Sequence, residues 1–183
     1  MIKTYYELTK PGIIFGNAVT TTAGFLLASK GDIDWWLFFA TLIGLSLIIA
    51  SACVFNNYID REIDQKMTRT KNRALAKGLI PVQRAITFAI CLGLIGVAFL
   101  DLYTNPLTLL VALTGFFVYV VVYGICKRRS VYGTLVGSIA GGVPPVVGYC
   151  AVSNQFDTGA LLLFTTVALW QMPHFLQSPR NRW

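Results

Sequence analysis

A chain of 183 residues has the length of one soluble domain, but 55% of it is apolar and only 13% is charged, against about 25% charged in ordinary soluble chains. The charge is segregated and long stretches carry none, which excludes a soluble globular protein and indicates a polytopic membrane protein. The net charge of +7 makes no case for nucleic acid, because membrane proteins collect Lys and Arg in their loops for topological reasons.

Lys3 and Lys10 precede the first apolar run, as in a signal peptide. However, Glu7 interrupts the positive region, no clear A-x-A cleavage site follows, and further apolar runs come after. The run therefore reads as a first transmembrane helix. A span needs about 20 mostly apolar residues, and six segments qualify, at about 13–29, 36–56, 85–103, 107–126, 132–152 and 159–175. The expected fold is all-α, a transmembrane bundle of six spans. Lys30-Gly31-Asp32 closes the first span, and Asp34 with Trp35-Trp36 marks the entry to the second. Asn105-Pro106 makes a tight turn between the third and fourth. Lys127-Arg128-Arg129 ends the fourth, and Ser153-Asn154-Gln155 with Asp157 separates the fifth from the sixth.

Fourteen of the fifteen Lys and Arg residues fall on one side of this alternation, leaving Lys30 on the other. The positive-inside rule puts both termini and the 58–84 loop in the cytoplasm. Cys53, Cys91, Cys126 and Cys150 all lie in or beside apolar runs without a C-x-x-C pair, so they read as buried free thiols. Gly133, Gly137 and Gly141 recur every fourth residue, the small-residue spacing of close helix contacts. Pro144-Pro145 is expected to interrupt the fifth span, and such breaks face protein or a wet cavity.

The chemistry concentrates where the second span ends. On a helix Asn56, Asp60 and Asp64 point along nearly one face. Two carboxylates at this spacing repel by roughly 0.2–0.5 kcal/mol in water and call for a counter-ion. A divalent metal suits the oxygen donors, and the cations that follow at Lys66, Arg69, Lys71 and Arg73 offer the other source of balance. Acids holding Mg²⁺ beside cations are what a diphosphate requires, and a bundle in lipid adds an apolar groove for a hydrocarbon chain. Glu62 and Lys66 are expected to form an exposed i,i+4 ion pair of little weight. Tyr123 and Lys127, also four apart, aim a hydroxyl and an ammonium at the same end of the bundle, or serve only as an interfacial Tyr and a topogenic Lys. His174 is the only histidine, and at the membrane boundary it reads equally as a site residue and as an interfacial polar group.

Asn56-x-x-x-Asp60-x-x-x-Asp64 resembles the first aspartate-rich motif of the UbiA-type intramembrane prenyltransferases. Four stretches are similar to the branch of that family that farnesylates haem: Thr9-Lys10-Pro11-Gly12-Ile13-Ile14 with Asn17, Cys53 to Asp60, Thr70-Lys71-Asn72-Arg73, and Trp170-Gln171-Met172-Pro173-His174. The resemblance covers residues 2 to about 175. It implies Asn56, Asp60 and Asp64 as ligands of Mg²⁺ and of the diphosphate of farnesyl diphosphate, with Lys71, Arg73 and the Tyr123/Lys127 pair on the leaving group. It further implies protohaem IX as acceptor, His174 near the haem, Tyr58 or Phe116 steadying the carbocation, and a bacterial inner membrane as location.

The family has about nine spans and a second acidic motif after the sixth. Here residues 176–183 form a polar tail unlike that continuation, so the expectation is an incomplete membrane domain over 1–175 that is inactive or nearly so. Three other readings stay open: prenyl transfer to an aromatic quinone precursor, a cation path lined by Asp60 and Asp64, and a non-catalytic remnant.

Overall fold

The computed structural model describes residues 2–68, 70–129 and 133–176. These form α1 (Ile2–Leu8), α2 (Pro11–Ser29), α3 (Trp35–Lys66), α4 (Val82–Tyr103), α5 (Pro106–Phe117), a π-helical turn (Val118–Val122), α6 (Tyr123–Arg129), α7 (Gly133–Ser153) and α8 (Thr158–Leu176). No strand occurs among the described residues. Among the described residues, five helices are long and apolar enough to cross a membrane: α2, α3, α4, the stretch Pro106–Lys127, and Leu135–Ser153 of α7. The apolar part of α8, Thr158–Met172, is shorter and occupies the place of the expected sixth span. The short helix α1 was not foreseen.

Local chemistry sets the boundaries. The Asp34 side chain accepts from the Leu37 N–H at 3.0 Å and starts α3. Asn105 does the same for α5 through the Thr108 N–H at 2.9 Å, and Asp157 for α8 through the Gly159 and Ala160 N–H groups. These oxygens satisfy amides that a helix start leaves unpaired. Asn105 also donates to the Cys150 and Ala151 carbonyls, tying the α4–α5 turn to α7. Lys30 and Gly31 end α2 in left-handed conformations, with φ of 48° and 99°. The Tyr149 hydroxyl donates to Asp157, and the Asp157 carboxyl is held below its ordinary value chiefly by the Ala160 N–H.

Two expectations change here. Span two was expected to stop near residue 56, yet α3 runs on to Lys66. Its 32 residues make about 48 Å of helix, against about 30 Å of hydrocarbon. Asn56 therefore lies near the end of the apolar portion, with Asp60 and Asp64 on the extension. Nor does Pro144-Pro145 break α7, which is continuous through both. Pro145 leaves the Gly141 carbonyl without its N–H donor, and the Gln171 side-chain amide of α8 reaches that oxygen at 3.4 Å.

Helix α3 packs along α4, α2 along α7, and α7 along α8. The α2/α7 contact is backbone to backbone. A Cβ on Gly24 would lie 1.9 Å from the Pro145 carbonyl oxygen, and one on Gly148 would lie 2.1 Å from that of Thr21. These glycines make the α2/α7 seam; of the run at 133, 137 and 141, Gly141 lets Gln171 of α8 come close, where a Cβ would lie 2.0 Å from its side-chain oxygen, and Gly137 and Gly141 also line a cavity. Large apolar side chains cover the outside, with Phe15, Leu102 and Trp170 at 72, 72 and 75% exposure, as a lipid-facing surface requires. The cysteines are all free, but only Cys53 and Cys150 are buried, while Cys91 is exposed on α4. An apolar helix facing lipid needs no burial for its thiol.

Candidate functional site

Every element that could carry charge to one end of the bundle does so. The start of α2, the extension of α3, the 67–81 segment and the end of α6 meet there. On α3, Asn56 and Asp64 are 3 and 4% exposed as residues. Lys127 of α6 donates to the Asn56 side-chain oxygen at 3.2 Å and forms an ion pair with Asp60. Both members of that ion pair have side chains only 13% exposed. Arg73 donates to Asp64 at 2.7 Å. Arg73 is delivered by a folded-back segment: the Thr70 hydroxyl donates to the Asp64 carbonyl, and Gln65 donates to that of Ala76. Leu75 and Ile80 of this segment are buried with Leu8, Val54, Ala85 and Ala89.

Protein cations thus stand against both carboxylates of the pair, Lys127 at Asp60 and Arg73 at Asp64. Buried ion pairs of this kind gain little net stability, but removing one member leaves a buried charge that costs about 3–5 kcal/mol. The oxygens of Asn56, Asp60 and Asp64 are hard donors on one face, the chemistry that suits a divalent cation. Among the described residues no cluster of three His, Cys, Asp or Glu side chains forms. The Asn56 amide nitrogen is buried without a partner. An orphaned donor beside an ammonium is placed to meet an anionic oxygen.

Behind this charged end lies a cavity of about 950 Å³, at the upper end of the usual ligand-pocket range. Its walls run from Gly12, Cys53 and Tyr123 near the charges to Thr20, Leu45 and Ala112 at the far end. Phe116 lines it, as expected. Tyr58 does not: the Arg61 guanidinium covers its ring at 4.5 Å, and it packs on the cluster containing Leu8. Glu62 pairs with the adjacent Arg61 at 2.9 Å and not with Lys66. Lys71 is exposed in the 67–81 segment. Tyr123 lines the cavity with the Lys127 ammonium 5.1 Å from its ring centroid. The His174 side chain and residues 177–183 lie outside the described residues.

Two residues went unread as site residues. Tyr119 stacks on Tyr123 at 5.5 Å and its hydroxyl contacts Cys53. The π turn between α5 and α6, closed by the Tyr123 N–H to the Val118 carbonyl, inserts the extra residue that sets this face. No sequence signal announces it. The other is Lys10, N-terminal to α2 with φ 53° and ψ 68°. Its sequence signal was its place in the Thr9-Lys10-Pro11-Gly12-Ile13-Ile14 stretch, which carries the family resemblance without assigning it a role. Burial holds its ammonium below the ordinary lysine value, with Cys53 and Asp60 opposing, and Arg73 and Lys127 reinforcing, that shift.

The chain is thus a multi-pass helical membrane protein with paired charges beside a large apolar cavity. The chain matches the model of the UbiA prenyltransferase family over residues 17–180, and it belongs to that family. Over 175 residues it is 60% identical to the protoheme IX farnesyltransferase of Serratia proteamaculans and 61% identical to that of Sodalis glossinidius. Each alignment covers 95% of this chain and 59% of the relative, so the chain spans about three-fifths of their length. A solved digeranylgeranylglyceryl phosphate synthase structure shares the fold with a TM-score of 0.81 at 22% identity, covering 93% of this chain and 60% of that one. A UbiA homologue from Aeropyrum pernix gives 0.73 at 21% identity, over 88 and 60%.

Proposed function

We propose that the chain binds farnesyl diphosphate and serves its transfer to a vinyl group of protohaem IX, the reaction after which its relatives are named. One observation carries the reading: buried acids, each paired with a cation, sit directly over an apolar cavity of about 950 Å³. The diphosphate lies against Lys127, Arg73 and the unpartnered Asn56 amide, and the farnesyl chain fills the cavity. The bond from C1 to the bridging oxygen breaks, and its electron pair leaves with the diphosphate. The vinyl π electrons attack C1, and water adds to the resulting haem-side cation with loss of a proton, giving a hydroxyethylfarnesyl group. Asn56, Asp60 and Asp64 would hold Mg²⁺, which when bound supplies further neutralisation of the diphosphate. Phe116, Tyr119 and Tyr123 present ring faces to the developing cation and exclude water from it. The charged end faces the cytoplasm of a bacterial inner membrane, in keeping with its Lys and Arg excess.

The test is binding and turnover with the chain in lipid nanodiscs. Farnesyl diphosphate is expected to bind with Mg²⁺, to be displaced by inorganic diphosphate, and to bind Asp60→Asn more weakly. Haem supplied with it is followed for the farnesylated product by chromatography. Binding that inorganic diphosphate leaves untouched would sink the proposal.

A further inference from the structure

Lys127 and Arg73 each meet an incoming anion with a carboxylate already beside them. Lys10 differs. Among the described residues, its ammonium has neither a carboxylate at ion-pair distance nor a hydrogen-bond acceptor. It lies within electrostatic reach of Cys53, Arg73, Lys127 and Asp60. Cys53 lines the cavity, as do Gly12 and Ile13 immediately after Lys10, so the ammonium stands where cavity and charged end meet. A cation placed there beside two others is repelled by both and has one acid in reach. An anion resolves that imbalance.

The backbone shows how it is held. Lys10 adopts the left-handed region, which Gly and Asn tolerate and a Lys resists. Its own carbonyl accepts from the Ile13 N–H at 2.8 Å. On the other side the Leu8 carbonyl, buried at the end of α1, accepts from the Asn57 amide at 3.0 Å. Asn57 neighbours Asn56 on α3, so the helix that carries the acids also clamps the turn that carries Lys10. A position whose backbone favours Gly or Asn but which bears a long cation is spending conformational ease on that side chain.

We propose that Lys10 is a third diphosphate-binding cation, held by the clamped left-handed turn to meet the phosphate oxygens nearest the hydrocarbon chain. It rests on the reading of the site as one for a prenyl diphosphate. The experiment compares Lys10→Asn and Lys10→Arg with the unaltered chain in nanodiscs. The probes are farnesyl S-thiolodiphosphate, which keeps the diphosphate but does not ionise, and farnesol, which lacks it.

Asn suits the left-handed turn, so Lys10→Asn is expected to melt at or above the unaltered chain. It should bind the thiolodiphosphate about 10- to 100-fold more weakly, the range for one lost charge-assisted hydrogen bond, with farnesol binding unchanged. Lys10→Arg should recover most of the loss. Unchanged thiolodiphosphate binding in Lys10→Asn, or equal loss of both probes, overturns the assignment. Absence of diphosphate-dependent binding in the unaltered chain removes the site reading and this inference with it, an outcome distinct from failure at Lys10 alone. A second measurement needs no variant. Amine-directed acylation read by mass spectrometry should show Lys10, but not Lys3, protected by inorganic diphosphate with Mg²⁺. Equal labelling with and without diphosphate, while the thiolodiphosphate binds, also overturns it.

Discussion

At the scale of single residues, the two adjacent asparagines divide their work. Asn56 faces the charged end, giving its oxygen to Lys127 and leaving its nitrogen unpartnered. Asn57 faces the other way and holds the Leu8 carbonyl. Replacing Asn57 with Ala removes that donor and leaves a carbonyl in a residue only 2% exposed. The expected loss is about 1–3 kcal/mol, the cost of a buried unsatisfied polar group, read as a lower unfolding midpoint in detergent. Asn57→Asp should do no better, since a carboxylate cannot donate to a carbonyl. An unchanged midpoint in both variants would show that the α1–α2 turn does not depend on this clamp. Tyr58 carries a related lesson. The family resemblance made it a candidate to steady a carbocation, but its ring lies against the Arg61 guanidinium.

At the scale of elements, the π turn decides what α6 can do. A π turn contains one residue more than the α-helix it interrupts and occurs mostly at functional sites. Residues Val118–Val122 form it here, between the cavity wall of α5 and the Tyr123/Lys127 face of α6. Inserting one Ala between Tyr123 and Gly124, after the turn, is expected to keep α6 helical and to rotate Lys127 by about 100° relative to α5. Lys127 then leaves Asp60, and binding of inorganic diphosphate falls while helix content by circular dichroism holds. Retained binding would mean that the register of α6 after the turn is not what places Lys127. The α3 extension is the other decisive element. Three polar residues spaced four apart were legible as one face, but only a helix continuing past the apolar run makes that face real.

At the scale of the whole molecule, the cavity exists because α2 and α7 touch at backbone distance beyond its far end. Gly24 against Pro145 and Gly148 against Thr21 make that seam. A methyl at Gly148 meets backbone and not a flexible side chain, so it cannot be accommodated without moving a helix. Gly148→Ala is expected to destabilise the bundle by about 1–3 kcal/mol, as overpacking does, and to lower its aggregation temperature in detergent. An unaltered aggregation temperature would mean that the two helices separate freely.

The sequence by itself determined the class of fold, because about 20 apolar residues in a row have few stable arrangements other than a membrane helix. It also determined the asymmetry of charge, the common face of Asn56, Asp60 and Asp64, and the pairing of Tyr123 with Lys127, all consequences of helical period. Which cation answers which acid was decided only by tertiary structure. Lys127 stands 67 residues from Asp60, and nothing local encodes that meeting. The same holds for Lys10, which the sequence marks only as part of a family-like stretch, while the Asn57 clamp sets its turn near Cys53. Periodicity reads along a helix, whereas the site is assembled between helices, where backbone contacts at glycines and a single inserted residue set the positions.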